Sequence, residues 1–535
     1  MVADSKALGL ARAATLRPFE MSMPDLAALV SELRRDPKRD WKTVPLPVDG
    51  LSPEGEHSLT ELRTVLSGFD ARSRPWDVLA RVLLDRTAIA ADIARSEAIS
   101  DRAAGIAVWQ FMNYIRNAPR SASPVLDMLD RIRRLVSISD DRDLRQLPPS
   151  VQGLDAVRLM TVHGSKGLEF PVVHLPGLTS ASLPRSAKQI QGIAPPDGLI
   201  DDAGRSGADI RAAAHVEEQE CLFYVASSRA RDRLIFYAQS RTSNGRSMSH
   251  SPFIDWVGAV SRWVTPVLVL PPAPEETPVD IVFEGKPSFT GQQILQYEKC
   301  PRRFFYTHLL RVGGKQTETA FMRMHNATRE VTDWIASQDP GTVDTTEIDQ
   351  RLDRAFDAQG FDADDRVDYL NIARSLVLAL HENRVGQTML PVSRLSFDAG
   401  HGLIEVVPDE MLMRDGTKIV RTIRTGHAGS KSIEDWAATA FVLAAAQHPD
   451  RPVPHQVFLG DGTFDSIDLK GTKLNNRREK ITEALGSITA GAFATDPNPR
   501  SCPGCPAFFF CGPVPDGRLT KKMNSTLPNS GSGSD

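Results

Sequence analysis

Five cysteines occur in the 535 residues, and three of them, Cys502, Cys505 and Cys511, fall within the stretch SCPGCPAFFFCG. Thiols so close together bridge as disulfides, act as nucleophiles or hold a metal, and in a reducing compartment the last two uses prevail. A tetrahedral zinc site or a cubane iron-sulfur cluster takes four ligands, so these three thiols want one more. Cys221, in ECLFYVASSRA among large apolar side chains, reads as a buried inert thiol. Cys300, in LQYEKCPRRFFYTHLL at the start of the region that the other three close, is the better fourth ligand.

A second constellation lies in VRLMTVHGSKGLEF, residues 157–170, where Thr161, His163, a glycine-flanked Lys166 and Glu169 share one tight connection after a strand-like run. Polar groups at the C-terminal end of a parallel strand are where α/β sheets bind ligands. Glycines let backbone amides approach a phosphate, and a nearby carboxylate can accept from a ribose hydroxyl. Further along, EEQECLFYVASSRARDRL, residues 217–234, ends a helical pattern with Arg229.

The elements that must position these residues follow from periodicity. Residues 1–150 repeat apolar residues at three-to-four spacing, as in MPDLAALVSELRRD and SPVLDMLDRIRRLVSI, and read as a helical region. Residues 151–270 change texture: VRLMTV, VVHLPGL and LIFYAQ are short β-branched or aromatic runs of a buried parallel sheet, separated by the helical HVEEQECLFYVASSRARDR. The proline clusters of 271–286 read as a linker, residues 287–513 as a further α/β domain, and 514–535, ending in NSTLPNSGSGSD, as a disordered polar tail. The fold class is α/β: a helical domain, a partial parallel sheet, and a C-terminal domain bounded by the four cysteines. At 41% apolar and 24% charged the chain has core material for about three domains of ~100–200 residues. A net charge of −4 and a pI near 6.3 provide no overall cationic field, so nucleic-acid contact must come from local basic patches. The absence of a signal-peptide pattern and of any run of ~18 apolar residues implies a soluble, cytoplasmic protein.

In order and spacing, the 157–170 and 217–234 stretches resemble motifs V and VI of UvrD/Rep-type superfamily 1 helicases. The resemblance implies that Thr161 and His163 contact single-stranded DNA alongside Lys166, and that Glu169 reaches the nucleotide sugar. It also implies that Arg229 touches the γ-phosphate, where a guanidinium offsets the charge developing in phosphoryl transfer. Residues 151–270 then correspond to the motif V/VI half of the second RecA-like domain, and residues 1–150 to the helical insertion of such helicases. No GxxxxGK[ST] phosphate loop and no strand ending in DExQ occurs in the sequence, and VGGKQTE around Lys315 lacks the first glycine. The expectation is that the chain does not hydrolyse ATP by itself and that a P-loop-bearing partner would complete the site, with Arg229 supplied in trans.

The spacing of Cys300 from CxxCxxxxxC resembles the iron-sulfur nucleases of the RecB/AddB kind, PD-(D/E)XK domains in which a [4Fe-4S] cluster ties the first helix to the chain end. Zinc on the same four thiolates, Cys300, Cys502, Cys505 and Cys511, is the competing reading. In that family carboxylates hold Mg²⁺ against the scissile phosphate, with a lysine and an early histidine beside them. His325, in FMRMHNATREV, matches the histidine and Asp409, in EVVPDEM, the first carboxylate. Where the family writes DYKTG this chain writes TIRTG, so Thr422 replaces the second carboxylate and Arg424 the lysine. Arginine cannot act as a neutral base or compact donor, and the resemblance therefore implies weak metal affinity and little or no cleavage. A DNA-facing groove remains, with Arg421, Arg424, Lys431 and the run LKGTKLNNRREK as candidate phosphate contacts; for that run a solvated surface helix is the plainer reading.

Three functional readings follow. The first is a DNA-processing subunit, in repair or in defence against foreign DNA, whose nuclease domain binds DNA or scaffolds a complex. The second is an active Mg²⁺-dependent nuclease in which Glu405, Asp409 and Glu410 supply the missing charge. The third is a structural adaptor binding neither nucleotide nor DNA.

Overall fold

The computed structural model describes the chain apart from residues 4–8, 37, 119–123, 139–156, 186–195, 201–203, 243–244, 259–261, 265–276, 313–318, 362, 430–433, 499–500 and 523–535. Lys315 and Lys431 lie outside the described residues. The chain divides into two units: residues 1–149 together with 274–535, and residues 150–273. Among the described residues no helix is long and apolar enough to cross a membrane.

The smaller unit is built on two parallel strands, β1 (Phe170–Leu175) and β2 (Ala230–Phe236), joined through the helix Gly207–Ser227. Ser206 caps that helix by accepting from the Asp209 N–H at 3.2 Å. Gln219, Phe223 and Ala226 form its buried stripe, and Phe223 packs with Leu178, Phe253 and Ile254 in a small core. Cys221 falls between stripe positions and is exposed, which corrects its reading as a buried thiol: two residues along a helix turn a side chain to the opposite face. The run VRLMTV is also corrected. It forms no strand, and Val157 and Leu159 are 97% and 99% exposed. A buried parallel strand needs sheet neighbours and covering helices, and no neighbour strand stands beside this run among the described residues.

In the larger unit, helices Met23–Arg35 and Pro53–Val65 start at serine caps followed closely by proline, Ser22 accepting from the Asp25 N–H and Ser52 from the Gly55 N–H. The buried Asp25 carboxylate takes the Ser52 N–H at 2.7 Å and ties the two helix starts together. Leu26, Leu29, Leu59 and Leu62 then join one core with Phe289, Phe304, Ile404, Phe441 and Leu485. Helices Met23–Arg35 and Pro53–Val65 therefore pack as part of the C-terminal α/β unit, while Tyr114, Ile115 and Met128 of the later helices form a small cluster of their own.

The remaining strands are β3 (Ile281–Phe283), β4 (Ser288–Thr290), β5 (Thr388–Leu390), β6 (Leu395–Asp398), β7 (Leu403–Val406), β8 (Glu410–Arg414), β9 (Thr417–Arg424), β10 (Val453–Phe458), β11 (Thr463–Ser466) and β12 (Leu519–Lys521). A five-stranded mixed sheet runs β11-β10-β9-β8-β5, and a three-stranded one runs β4-β7-β6. β3 and β12 pair in parallel, so strands stand within the stretches whose composition suggested a linker and a disordered tail. Three-residue strands are too short to show a period, and Ile281 and Leu519 are held by burial in the main core.

On the five-stranded sheet, Ile423 and Val457 face a core built from helices Ala320–Ser337, Thr345–Gln359 and Ala363–Arg384, while Met411 and Val420 face the core that holds helix Trp436–Gln447. Alternation along β9 therefore puts Arg421 with Ile423 on the three-helix side, and Thr422 with Arg424 on the other. Arg421 is fully buried beside Glu410 (3.8 Å), its antiparallel partner, and Glu410 lies 3.5 Å from the equally buried Arg384. Arg384 also donates to the carbonyls of Ile335 (2.5 Å) and Gln338 (2.9 Å) at the end of the Ala320–Ser337 helix. Burial pushes the Glu410 carboxyl up despite both guanidiniums. Neither Arg421 nor Glu410 can reach DNA or a metal from there, which corrects Arg421 as a phosphate contact in the groove and Glu410 as a source of metal-binding charge. Glu410→Ala leaves two buried cations without their anion and is expected to cost about 3–5 kcal/mol, read from the urea midpoint of unfolding; a loss under ~1 kcal/mol would contradict the triad's role.

Candidate nucleic-acid interface

The groove side of β9 opens into a cavity of about 520 Å³ whose walls include Glu405, Asp409, Thr422, Arg424, Ala437, Ala438 and Gln456. Its floor is close-packed: a Cβ at Gly291 would stand 3.3 Å from the Ala437 backbone. Asp409, just before β8, is held by the Arg421 carbonyl, which accepts its N–H at 2.8 Å. Its carboxylate is occupied: Oδ2 accepts the Ile423 N–H at 2.5 Å and Oδ1 accepts from Arg329 Nη2. Arg329 also donates to the Ile423 carbonyl (2.7 Å) and pairs with Asp333 (2.7 Å). Its guanidinium thus bridges a carboxylate and a strand carbonyl, oxygen donors of the kind a divalent cation would take. Burial pushes the Asp333 carboxyl up, Arg329 opposes this and the neighbouring Asp409 adds to it.

Arg424 is fixed in turn. The Gln456 amide, with its oxygen toward the guanidinium, accepts from Nε and Nη2 at 2.9 Å each, and Asp435 stands 3.8 Å away. Glu405 accepts from Ser288 Oγ at 2.6 Å and pairs with Arg394 at 3.3 Å. His325 lies one turn before Arg329 on the same helix; its Nδ1 is 2.6 Å from Thr425 Oγ1, and burial lowers its pKa below the usual imidazole value. The structure therefore brings Asp409, Arg424 and His325 to one end of β9. Sequence reasoning missed Arg329 and Gln456. Arg329 carried a usable signal, because a residue four after His325 shares its helix face.

The segments that carry Cys300 and Cys511 lie against each other. Burial pushes the Cys511 thiol up against the pull of Arg302, and the Cys505 thiol up against the Ala507 N–H and Arg303. Cys300 Sγ accepts the Arg303 N–H at 3.5 Å, and Cys502 Sγ the Asn498 N–H at 3.1 Å. Among the described residues, however, no three His, Cys, Asp or Glu side chains form a ready metal-holding group. The two ends of the domain are joined without one: buried Arg302 donates to the carbonyls of Phe493 (2.7 Å) and Gly512 (3.0 Å), and the Tyr306 and Phe510 rings meet at 5.1 Å.

In the smaller unit Thr161, His163, Lys166 and Glu169 are all exposed on one turn. Thr161 Oγ1 accepts the Gly164 N–H at 3.0 Å, and Gly167 takes φ +79° to bring the chain into β1. Arg229, at the end of the Gly207–Ser227 helix, donates to the carbonyls of Leu168 (3.2 Å) and Val225 (3.0 Å), and its own carbonyl accepts the Phe170 N–H at 2.9 Å. The two sequence stretches therefore meet across the β1–β2 pair.

Residues 94–241 match the UvrD-like helicase C-terminal domain, and residues 288–512 match the PD-(D/E)XK nuclease superfamily. This chain carries both domains. Among curated relatives, DNA helicase II of Escherichia coli is 34% identical over 99 residues, 18% of this chain and 11% of that protein. An ATP-dependent helicase/nuclease subunit of Lactobacillus acidophilus is 32% identical over 146 residues, 25% and 12% of the two chains, and the ATP-dependent DNA helicase PcrA of Bacillus subtilis is 25% identical over 201 residues, 37% and 24%. The chain thus spans no more than 24% of the length of these relatives. Thr161, His163, Lys166, Glu169 and Arg229 lie inside the UvrD-like match, and His325, Asp409, Arg424, Cys300, Cys502, Cys505 and Cys511 inside the PD-(D/E)XK match. In the UvrD-like domain, Arg229→Ala removes the bond to Leu168 and is expected to speed amide hydrogen exchange selectively across residues 161–170; unchanged exchange there would show that the loop holds itself.

Proposed function

We propose that this chain is a DNA-processing subunit whose PD-(D/E)XK groove binds DNA and does not cut it. The observation that supports this is the Arg329 bridge. A fixed guanidinium bonds the Asp409 carboxylate and the Ile423 carbonyl, and Thr422 and Arg424 offer no second carboxylate and no lysine beside them. A divalent cation would have to displace an arginine from its carboxylate and would then find half the usual anionic charge. The groove is left with Arg424 as a phosphate contact, positioned by Gln456 and Asp435. In the UvrD-like domain, Thr161, His163 and Lys166 form an exposed polar turn suited to a single strand. Glu169 and Arg229 address a nucleotide only where a P-loop element completes the ATP site.

Cys300, Cys502, Cys505 and Cys511 match a [4Fe-4S] cluster in number and type of ligand, with zinc as the competing occupant. Such a metal would lower the thiol pKa values and clamp ends that Arg302 and Tyr306 already hold. Iron and acid-labile sulfide near four atoms each per chain are expected in protein purified without oxygen, falling to background in Cys300→Ser; one zinc per chain would replace the cluster reading, and no metal at all would end both.

For the groove, the expected outcome with labelled single strands and Mg²⁺ or Mn²⁺ is salt-dependent binding with the strands intact. Cleavage that disappears in Asp409→Ala would instead establish an active nuclease, the reading favoured by the shared position of Glu405 and Asp409 on the cavity wall. Failure of the protein to bind any DNA would leave the adaptor reading.

A further inference from the structure

A second cavity, of about 320 Å³, lies beside the groove and is lined by Glu298, Trp436, Lys473, Asn476, Arg477 and Lys480. Its composition differs from that of the groove: one indole, one amide, three cations and a single acid. Lys473 pairs with Glu434, outside the lining, whereas Arg477 and Lys480 meet the Glu298 charge across the cavity. The Glu298 carboxyl is pushed up by burial and by Asp435, against the pull of Arg477, Lys299 and Lys480.

The two cavities share a wall. Trp436 opens the Trp436–Gln447 helix, Ala437 and Ala438 of its first turn line the groove, and Asp435, its N-cap, stands 3.8 Å from Arg424. Two residues of helix rise by roughly 3 Å, so a chain lying on Arg424 meets Trp436 within the reach of a neighbouring nucleotide. An aromatic face beside a row of cations is what single strands require: stacking for any base, and cations for the phosphates on either side.

We propose that the Trp436 cavity is a nucleotide subsite for single-stranded nucleic acid, one base stacking on the indole while adjacent phosphates lie against Arg477 and Lys480. This rests on the reading that the groove binds DNA, and it assigns the direction in which a strand leaves that groove: over the start of the Trp436–Gln447 helix toward the Gly471–Thr489 helix. Glu298 forms the acidic wall, so the phosphates lie on the Arg477–Lys480 side and the base edge faces the carboxyl. The site selects single strands, because a base within a duplex is stacked on both faces and cannot meet the indole.

The test uses the full chain and a fluorescein-labelled oligothymidylate, with binding followed by anisotropy over a range of salt concentrations. Trp436→Ala is expected to weaken binding about 10-fold, with Trp436→Phe recovering most of it. Arg477→Ala combined with Lys480→Ala is expected to lower the slope of log K against log salt by about 1.4, as for two single-strand phosphate contacts. Arg424→Ala reports on the groove separately. Unchanged affinity and slope in the Trp436 and Arg477/Lys480 variants overturns the subsite, and weakening by Arg424→Ala alone would leave the groove reading standing without it. A wild-type protein that binds no oligothymidylate overturns both. A loss in Trp436→Phe equal to that in Trp436→Ala also overturns stacking, since the phenyl ring keeps a π-face.

Discussion

The guanidinium of Arg329 organises the groove end of β9. It sits between a carboxylate and a strand carbonyl, two oxygen donors that converge because Asp409 precedes β8 and its carboxylate accepts the N–H of Ile423, near the end of β9. Such a pair of oxygens invites a positive charge, and the Ala320–Ser337 helix supplies one covalently. On the proposed reading, this tethered charge stands where a hydrated divalent cation would otherwise bind. The same feature orders the groove: Arg329 joins helix to sheet, Asp409 is immobilised on two sides, and the open cavity beside them is bounded by side chains already paired.

Much of this is legible in the sequence. Asp409, Thr422 and Arg424 can be placed by position because a strand ending and a turn keep their spacing, and the alternation of β9 then sets Thr422 and Arg424 on one face. What the sequence does not disclose is which face each arginine takes. Arg421 and Arg424 are chemically alike, yet the three-residue separation puts one in the interior and the other on the groove, and only the phase of the sheet distinguishes them. Arg329 escapes notice for a related reason, since an arginine on an amphipathic helix looks like a solvated residue until a carboxylate is found opposite it. Short elements are invisible too: β3 and β12 owe their existence to burial against a distant core and carry no local signal of their own.

The smaller unit shows the limit of local pattern from the other side. Thr161, His163, Glu169 and Arg229 belong to two stretches far apart in sequence, and the parallel pairing of β1 with β2 brings these stretches together, with Arg229 bonded across the gap to Leu168. The β-branched run before them has the composition of a strand. A strand, however, is a property of its neighbours. Val157 and Leu159 have none among the described residues and stand in solvent.

The buried Glu410 and Arg421 pair has a consequence for how the sheet assembles. The two residues are direct cross-strand partners, and in an antiparallel ladder a shift of one position exchanges the two faces of a strand. Any such slip between β8 and β9 would carry the guanidinium of Arg421 to the opposite face of the sheet, leave Glu410 with Arg384 as its one buried cation, and bring Val420 or Thr422 in beside it. The charge pair therefore acts as a lock on alignment: it tolerates one registration of the hairpin, and that registration is the one that presents Asp409 and Arg424 side by side.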